Sequence, residues 1–292
     1  MQTIEGLRRR IKSADDLLSV VKTMKALAAV SIRHYEQAVI ALGGYNRTVE
    51  LGLHIVLSGQ NGWQLARNAQ ATGPVGAIIF GTDQGLCGQF NERIVSFAID
   101  RLAHVADNDE VRLMAVGERC AILLQEAGHP VQHIFTVPGG VTGVTPLVQD
   151  ILLAIEQWRT QAGIDQIVLL HNCPTGGASY EQRFGCLLPL DLDWLQRLAQ
   201  QEWKSTCLPK YIMDSERLFS SLVQQYLFVM LCCACTESLA SEDVSRLAAM
   251  QNAERNIKDR LEELYAEYHH QRQNTINAEL LDIVAGFEAV TS

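Results

Sequence analysis

Two short stretches hold residues whose types and spacing could do chemistry. Gly81-Thr82-Asp83-Gln84-Gly85-Leu86-Cys87-Gly88 follows the apolar run Val75 to Phe80 and precedes ERIVSFAIDRL. A glycine-punctuated turn between strand and helix is where nucleotide-binding folds cradle phosphate. A P-loop needs a lysine that reaches the terminal phosphates, and this segment has glycines but no lysine. Asp83 would repel a phosphate, and the spacing of Gly81 and Gly85 breaks the dinucleotide fingerprint. The segment therefore reads as a tight turn carrying a strand into its helix. The second stretch is His171-Asn172 at a strand end, the candidate site if the chain is an enzyme or a ligand-binding module. A catalytic reading wants acids, bases or a cation converging there, and no convincing set accompanies it. The eight cysteines show no zinc spacing and read as small buried hydrophobes. The expectation is no catalytic residue, no cofactor and no metal.

The elements around these stretches fall into three regions. Apolar runs at 75–80, 111–116, 131–137 and 166–170 read as strands, and RFGCLLPL at 183–190 as a last one. Helical patterns lie between them at 91–104, 118–127 and 145–160. Such alternation predicts a parallel sheet with right-handed crossovers. Before it, Ile4, Leu7, Ile11, Ala14, Leu18, Val21, Lys25, Ala28, Ile32, Tyr35, Val39 and Leu42 keep a three-four spacing broken by one charge. A narrow stripe of this length is a coiled-coil seam. Gly43-Gly44 weakens or bends the helix, and SGQNG ends it. After the sheet, Phe219, Leu222, Tyr226, Val229, Cys233, Thr236 and Ala240 begin a second seam. Leu247, Met250, Ile257, Leu261, Leu264 and Tyr268 continue it, with Asp243 and Glu254 as breaks. Ile276, Leu280, Ile283, Phe287 and Val290 resume it after a skipped residue.

A helix of about 75 residues is about 110 Å long. A compact chain of this size has a radius of gyration of only about 19 Å. The expected shape is a helical stalk with an α/β knob, suited to transmitting position or force. The net charge of −9 argues against a general nucleic-acid binder. Residues 1–42 nevertheless carry seven Lys or Arg against four acids, a local +3. Pairing with Asp259, Glu262, Glu263 and Glu267 of the C-terminal helix accounts for that more simply than nucleic acid or membrane. YLFVMLCCAC is too short for a bilayer span of about 20 residues, and no signal-peptide order follows the N-terminal arginines. The chain is expected to be soluble.

TDQGLCGQFN resembles the TDRGLCGGLN signature of the gamma subunit of F-type ATP synthases. LRRRIKSADDLLSVVKTMKALAAVSIR, residues 7–33, is similar to that family's opening helix. VGERC (116–120), ESLASEDVSRLAAMQNAERNI (237–257) and RQNTINAELLDIVAGFEAV (272–290) match further ordered motifs. The resemblance implies an antiparallel two-helix coiled coil from residues 1–58 and 208–292, with a Rossmann-like α/β domain at 70–195. It implies a central-stalk rotor that does no bond chemistry. Its partners would be a hexamer of alpha and beta subunits, the epsilon subunit and the ring of c subunits. It would sit at the cytoplasmic face of a bacterial plasma membrane, peripherally and through the complex alone, with no nucleic acid.

The same resemblance implies contact with beta subunits for Arg246, Arg272, Gln273, Thr275 and Glu279, and for Lys22, Thr23 and Met24 near the bearing. Lys25 stands where an acid is common, Gln84 where arginine is usual, and Gln89 where a second glycine is usual. These departures mark a divergent branch. Two other readings compete: an α/β ligand-binding or enzyme domain with coiled-coil oligomerisation arms, and a purely self-associating coiled coil.

Overall fold

The computed structural model describes residues 3–58, 73–105, 111–176, 179–203, 207 and 209–291. The expected stop at SGQNG lies, beyond Ser58, outside the described residues. So do the expected boundaries at residues 70, 208 and 292, and the side chains of Phe287 and Val290. The elements in order are α1 (Ile4–Leu57), β1 (Val75–Phe80), α2 (Phe90–Leu102), β2 (Val111–Val116), α3 (Glu118–Glu126) and β3 (Val131–Phe135). A 3-10 turn then leads into α4 (Val144–Ala162), β4 (Gln166–Gly176), β5 (Ser179–Leu188), α5 (Leu192–Gln200) and α6 (Ser215–Thr291). Two compact units result: Met1–Ala28 with Leu247–Ser292, and Ala29–Arg246.

The larger unit is built on a five-stranded sheet of order β3-β2-β1-β4-β5. β1, β2, β3 and β4 are parallel neighbours, as the alternating pattern predicts. β5 corrects that reading, because it runs antiparallel to β4. Only two residues separate these strands, too few for a crossover, and a short connection gives a hairpin. Alternate residues of each strand face opposite layers. Ala77, Ile79, Leu113 and Ala115 pack with Ile94, Ala98 and Leu124 of α2 and α3. Ile78, Phe80, Met114 and Leu169 pack with Val148, Ile151 and Trp158 of α4, and with Leu231, Cys235 and Leu239 of α6. Ile78, Met114 and Ile151 are fully buried, and each such side chain contributes about 1.5–3 kcal/mol.

α5 was not foreseen. Its Leu195 and Leu198 close a third cluster with Val49, Leu53 and Leu57 of α1, against Phe219 and Leu222 of α6. Gly52 lets that approach happen, since a Cβ there would lie 2.8 Å from Leu222. Tyr45 Oη donates to Gln225 Oε1 at 2.8 Å while Gly52, further along α1, faces Leu222, earlier on α6, so the two helices run antiparallel here. Gly43 and Gly44 do not interrupt α1.

In the smaller unit the ends of the same helices pair. Leu7 and Ile11 pack on Leu261 and Leu264, flanked by Ala14, Leu18, Ile257 and Tyr268. The Arg8 guanidinium lies over the Tyr268 ring and donates to its hydroxyl from Nε and Nη2 at 3.1 and 3.0 Å. All twelve α1 seam positions are buried or half-buried. The second seam behaves so only as far as Tyr268. Ile276, Leu280 and Ile283 are 44%, 55% and 67% exposed, contrary to their place in the apolar pattern. Among the described residues α1 begins at Ile4, and its Leu7 packs on Leu261 and Leu264, short of Ile276 on α6.

α6 is also long and apolar enough, by length and composition alone, to cross a membrane. Its apolar stretch supplies Leu227, Leu231, Cys232, Ala234 and Cys235 to the core beneath the sheet.

Candidate functional site

The turn after β1 is held from every side. Thr82 N donates to Asn91 Oδ1 at 3.0 Å, and Asn91 Nδ2 donates back to Thr82 Oγ1 at 2.7 Å. The Asp83 carboxylate accepts from Glu118 N at 2.9 Å and Val137 N at 2.8 Å. It thereby caps α3, where a negative charge suits the exposed N–H groups, and ties down the chain beyond β3. Leu86 and Gly88 take the left-handed region at φ 65° and 60°. The Cys87 carbonyl accepts from Ser245 Oγ of α6 at 2.5 Å. Thr82 and Asp83 are thus engaged in binding their own chain, in keeping with the tight-turn reading.

Next to Ser245 in the chain stands Arg246. Its side chain is 16% exposed, and it donates to Asp243 Oδ1 and Glu242 Oε1. Burial holds both carboxyls above the usual carboxylate range, the guanidinium working against it. Ser31 of α1 hydrogen-bonds Asp243 as well. Tyr35 of α1 is pushed up to about 12 by burial and by these two acids. The sequence pattern treats Asp243 as a mere break in the seam. Its spacing to Arg246, with Glu242 one residue before it, is the signal that could have located the cluster.

The other expected contact residues lie on the smaller unit. Lys22, Arg272, Gln273 and Glu279 are exposed, and Met24 and Thr275 are half-buried. Thr23 and Thr275 turn their hydroxyls back to the carbonyls of Ser19 and Gln271 at 3.0 Å each. Arg272, Gln273, Thr275 and Glu279 lie within about two turns of α6, whereas Arg246 belongs to the other unit. Lys25 has a partner that the sequence reading did not foresee. It pairs across the seam with Glu254, which also takes Lys258 at 2.9 Å, and the Glu254 carboxyl is held down at about 2 by those hydrogen bonds.

His171-Asn172 does not form the alternative site. Both lie within β4 rather than at its end, and both are buried. His171 Nε2 lies 2.7 Å from Glu237 Oε2 of α6, and Gln182 Nε2 donates to Asn172 Oδ1 at 3.0 Å. Cys87, Cys120, Cys173, Cys232 and Cys235 are buried as expected, but Cys186 and Cys207 are exposed. Burial pushes Cys120, Cys173, Cys232 and Cys235 up to about 12, so these thiols stay protonated and unreactive.

These features define a class: an α/β sheet domain braced by a pair of long terminal helices, whose polar clusters fasten its own elements together. The family model described as ATP synthase matches residues 3–290. The ATP synthase gamma chain of Polynucleobacter asymbioticus is 26% identical over 294 residues, covering 99% of this chain and 100% of that one. That of Campylobacter concisus is 26% identical over 310 residues, with 99% and 100% covered. Among solved structures, a chain of the Euglena gracilis mitochondrial ATP synthase (OSCP/F1/c-ring, rotational state 3) aligns with a TM-score of 0.62 at 19% identity, over 98% of this chain and 94% of that one. A chain of the Tetrahymena thermophila mitochondrial ATP synthase central stalk and c-ring aligns at 0.57 and 22%, over 80% and 99%. The chain belongs to the ATP synthase family: it is a gamma subunit, a non-catalytic subunit of that complex.

Proposed function

We propose that the chain couples ion-driven rotation of a membrane ring to the conformational cycle of catalytic beta subunits. In this reading the helix pair formed by residues 1–58 and 208–292 threads a hexamer of alpha and beta subunits. The α/β domain, residues 70–195, docks on the c-subunit ring together with epsilon. The chain sits peripherally at the cytoplasmic face of a bacterial plasma membrane, held there by the complex. Arg246, Arg272, Gln273, Thr275, Glu279, Lys22 and Met24 are the residues that meet beta subunits. The physical logic is differential contact: a rotor face that prefers one beta conformation shifts that subunit's equilibrium by the difference in contact free energy. One charge-assisted hydrogen bond, at about 1.5–3 kcal/mol, shifts a population about tenfold or more.

The observation that carries this reading is the family match along residues 3–290, which takes in both seams and the turn between them. The test is to purify the tagged chain from its host and identify what accompanies it. Alpha, beta, epsilon and c subunits in defined stoichiometry are expected. Recovery of a homodimer with none of them would overturn the proposal.

A further inference from the structure

The charge of Arg246 is already matched by two carboxylates of its own helix, so carboxylates of a partner must displace them to gain it as their ion-pair partner. Nη1 is taken by Asp243 and Nη2 by Glu242, and those two carboxylate side chains are each only 10% exposed. Removing the arginine from them would leave adjacent buried anions without a cation, which is strongly unfavourable. We propose that Arg246 engages carboxylates of the beta subunits only by exchange, and that the exchange is coupled to uptake of a proton by the Glu242–Asp243 pair. This rests on the reading of Arg246 as a beta-subunit contact. The balance is simple. The hydrogen bonds from the guanidinium to Glu242 and Asp243 break, and equivalent bonds form to the partner's carboxylate. One proton from solvent forms an O–H bond on Glu242 or Asp243, and the neutral carboxyl stays buried.

The surroundings favour that proton. Facing Glu242 are Arg246 and Asp243 on its own helix, Asp83 in the turn after β1, Cys87 in the same turn and Tyr35 of α1. Facing Asp243 are Arg246, Ser31 and Tyr35. Arg246 is the cation among them, and Asp83 adds repulsion. Burial already raises both carboxyls with the arginine in place, and its departure raises them further. Between those two conditions the exchanged state holds one more proton. Acid therefore favours the partner contact, and alkali returns Arg246 to its own carboxylates. With one proton exchanged, the apparent strength of the contact changes by up to about tenfold per pH unit in that window.

The test uses the assembled complex. ATP hydrolysis is measured from mildly acidic to alkaline pH for wild type, Arg246→Ala, Glu242→Gln/Asp243→Asn and the triple variant. The ratio of wild type to Arg246→Ala is expected to fall as pH rises. In the Glu242→Gln/Asp243→Asn background, where neither acid can take the proton, the corresponding ratio should flatten and keep its acidic value. Equal pH dependence in both backgrounds would overturn the proton linkage while leaving the Arg246 contact standing. A ratio of one at every pH would overturn the contact itself, and the linkage with it. Should Arg246→Ala fail to assemble, Glu242→Gln/Asp243→Asn against wild type carries the test. The neutral pair must remove the alkaline loss of coupling, and a retained loss would overturn the proposal.

Discussion

Lys25 and Glu254 each interrupt an apolar seam, and they face one another. A single polar pair in a coiled-coil seam fixes register, because any slip leaves both charges against apolar neighbours. Lys25→Glu and Glu254→Lys alone should each lower the thermal midpoint of the chain. The double exchange should recover most of the loss, and a double variant no better than the worse single one would show that the pair does not set register. Glu237 makes a different kind of contact. Burial raises its carboxyl, but the hydrogen bond and charge of His171, with Cys173 and Arg183, outweigh burial and bring it below the usual value. A depressed carboxyl stabilises the fold above its unfolded value of about 4.3 and loses that contribution as pH falls through the folded one. Glu237→Gln should therefore destabilise the chain at neutral pH, with the gap from wild type closing in acid. Denaturant midpoints measured across pH check this, and a gap constant with pH would contradict it.

The elements show which signals a sequence carries. Both long helices and all five strands were legible, the helices from a helical period sustained over many residues and the strands from short apolar runs such as VGAIIF, which is buried along its whole length. The direction of β5 was not, since it is set by the shortness of its link to β4 rather than by anything in RFGCLLPL. α5 carries Leu192, Leu195 and Leu198 at helical spacing over nine residues behind Pro189, a signal the reading passed over. The apolar spacing continues from Ile276 onward although Ile276, Leu280 and Ile283 are exposed, because a stripe by itself does not say what covers it. Arg246 was read as an outward contact from its motif, although its acids stand three and four residues before it. Gly117 illustrates a constraint that only the packing reveals. It has φ 112°, and a Cβ there would lie 2.6 Å from the backbone of Thr82. Gly117→Ala should cost more than about 1 kcal/mol, because the turn after β1 and the start of α3 would have to separate. An unfolding midpoint equal to wild type would mean that this close approach is not needed.

At the scale of the whole molecule, a rotor must turn relative to the catalytic subunits during every cycle, whereas an anchoring subunit need not. A covalent tether separates the two. Gln273 is exposed on α6, so Gln273→Cys can be joined to a cysteine placed on a facing beta subunit, with Cys186 and Cys207 changed to serine to avoid stray bridges. The measurement is ATP hydrolysis and ion pumping of the assembled complex before oxidation, after it, and after reduction. The rotor account predicts that both activities fall when the bridge closes and return when it is reduced. Full turnover with the bridge intact would contradict it.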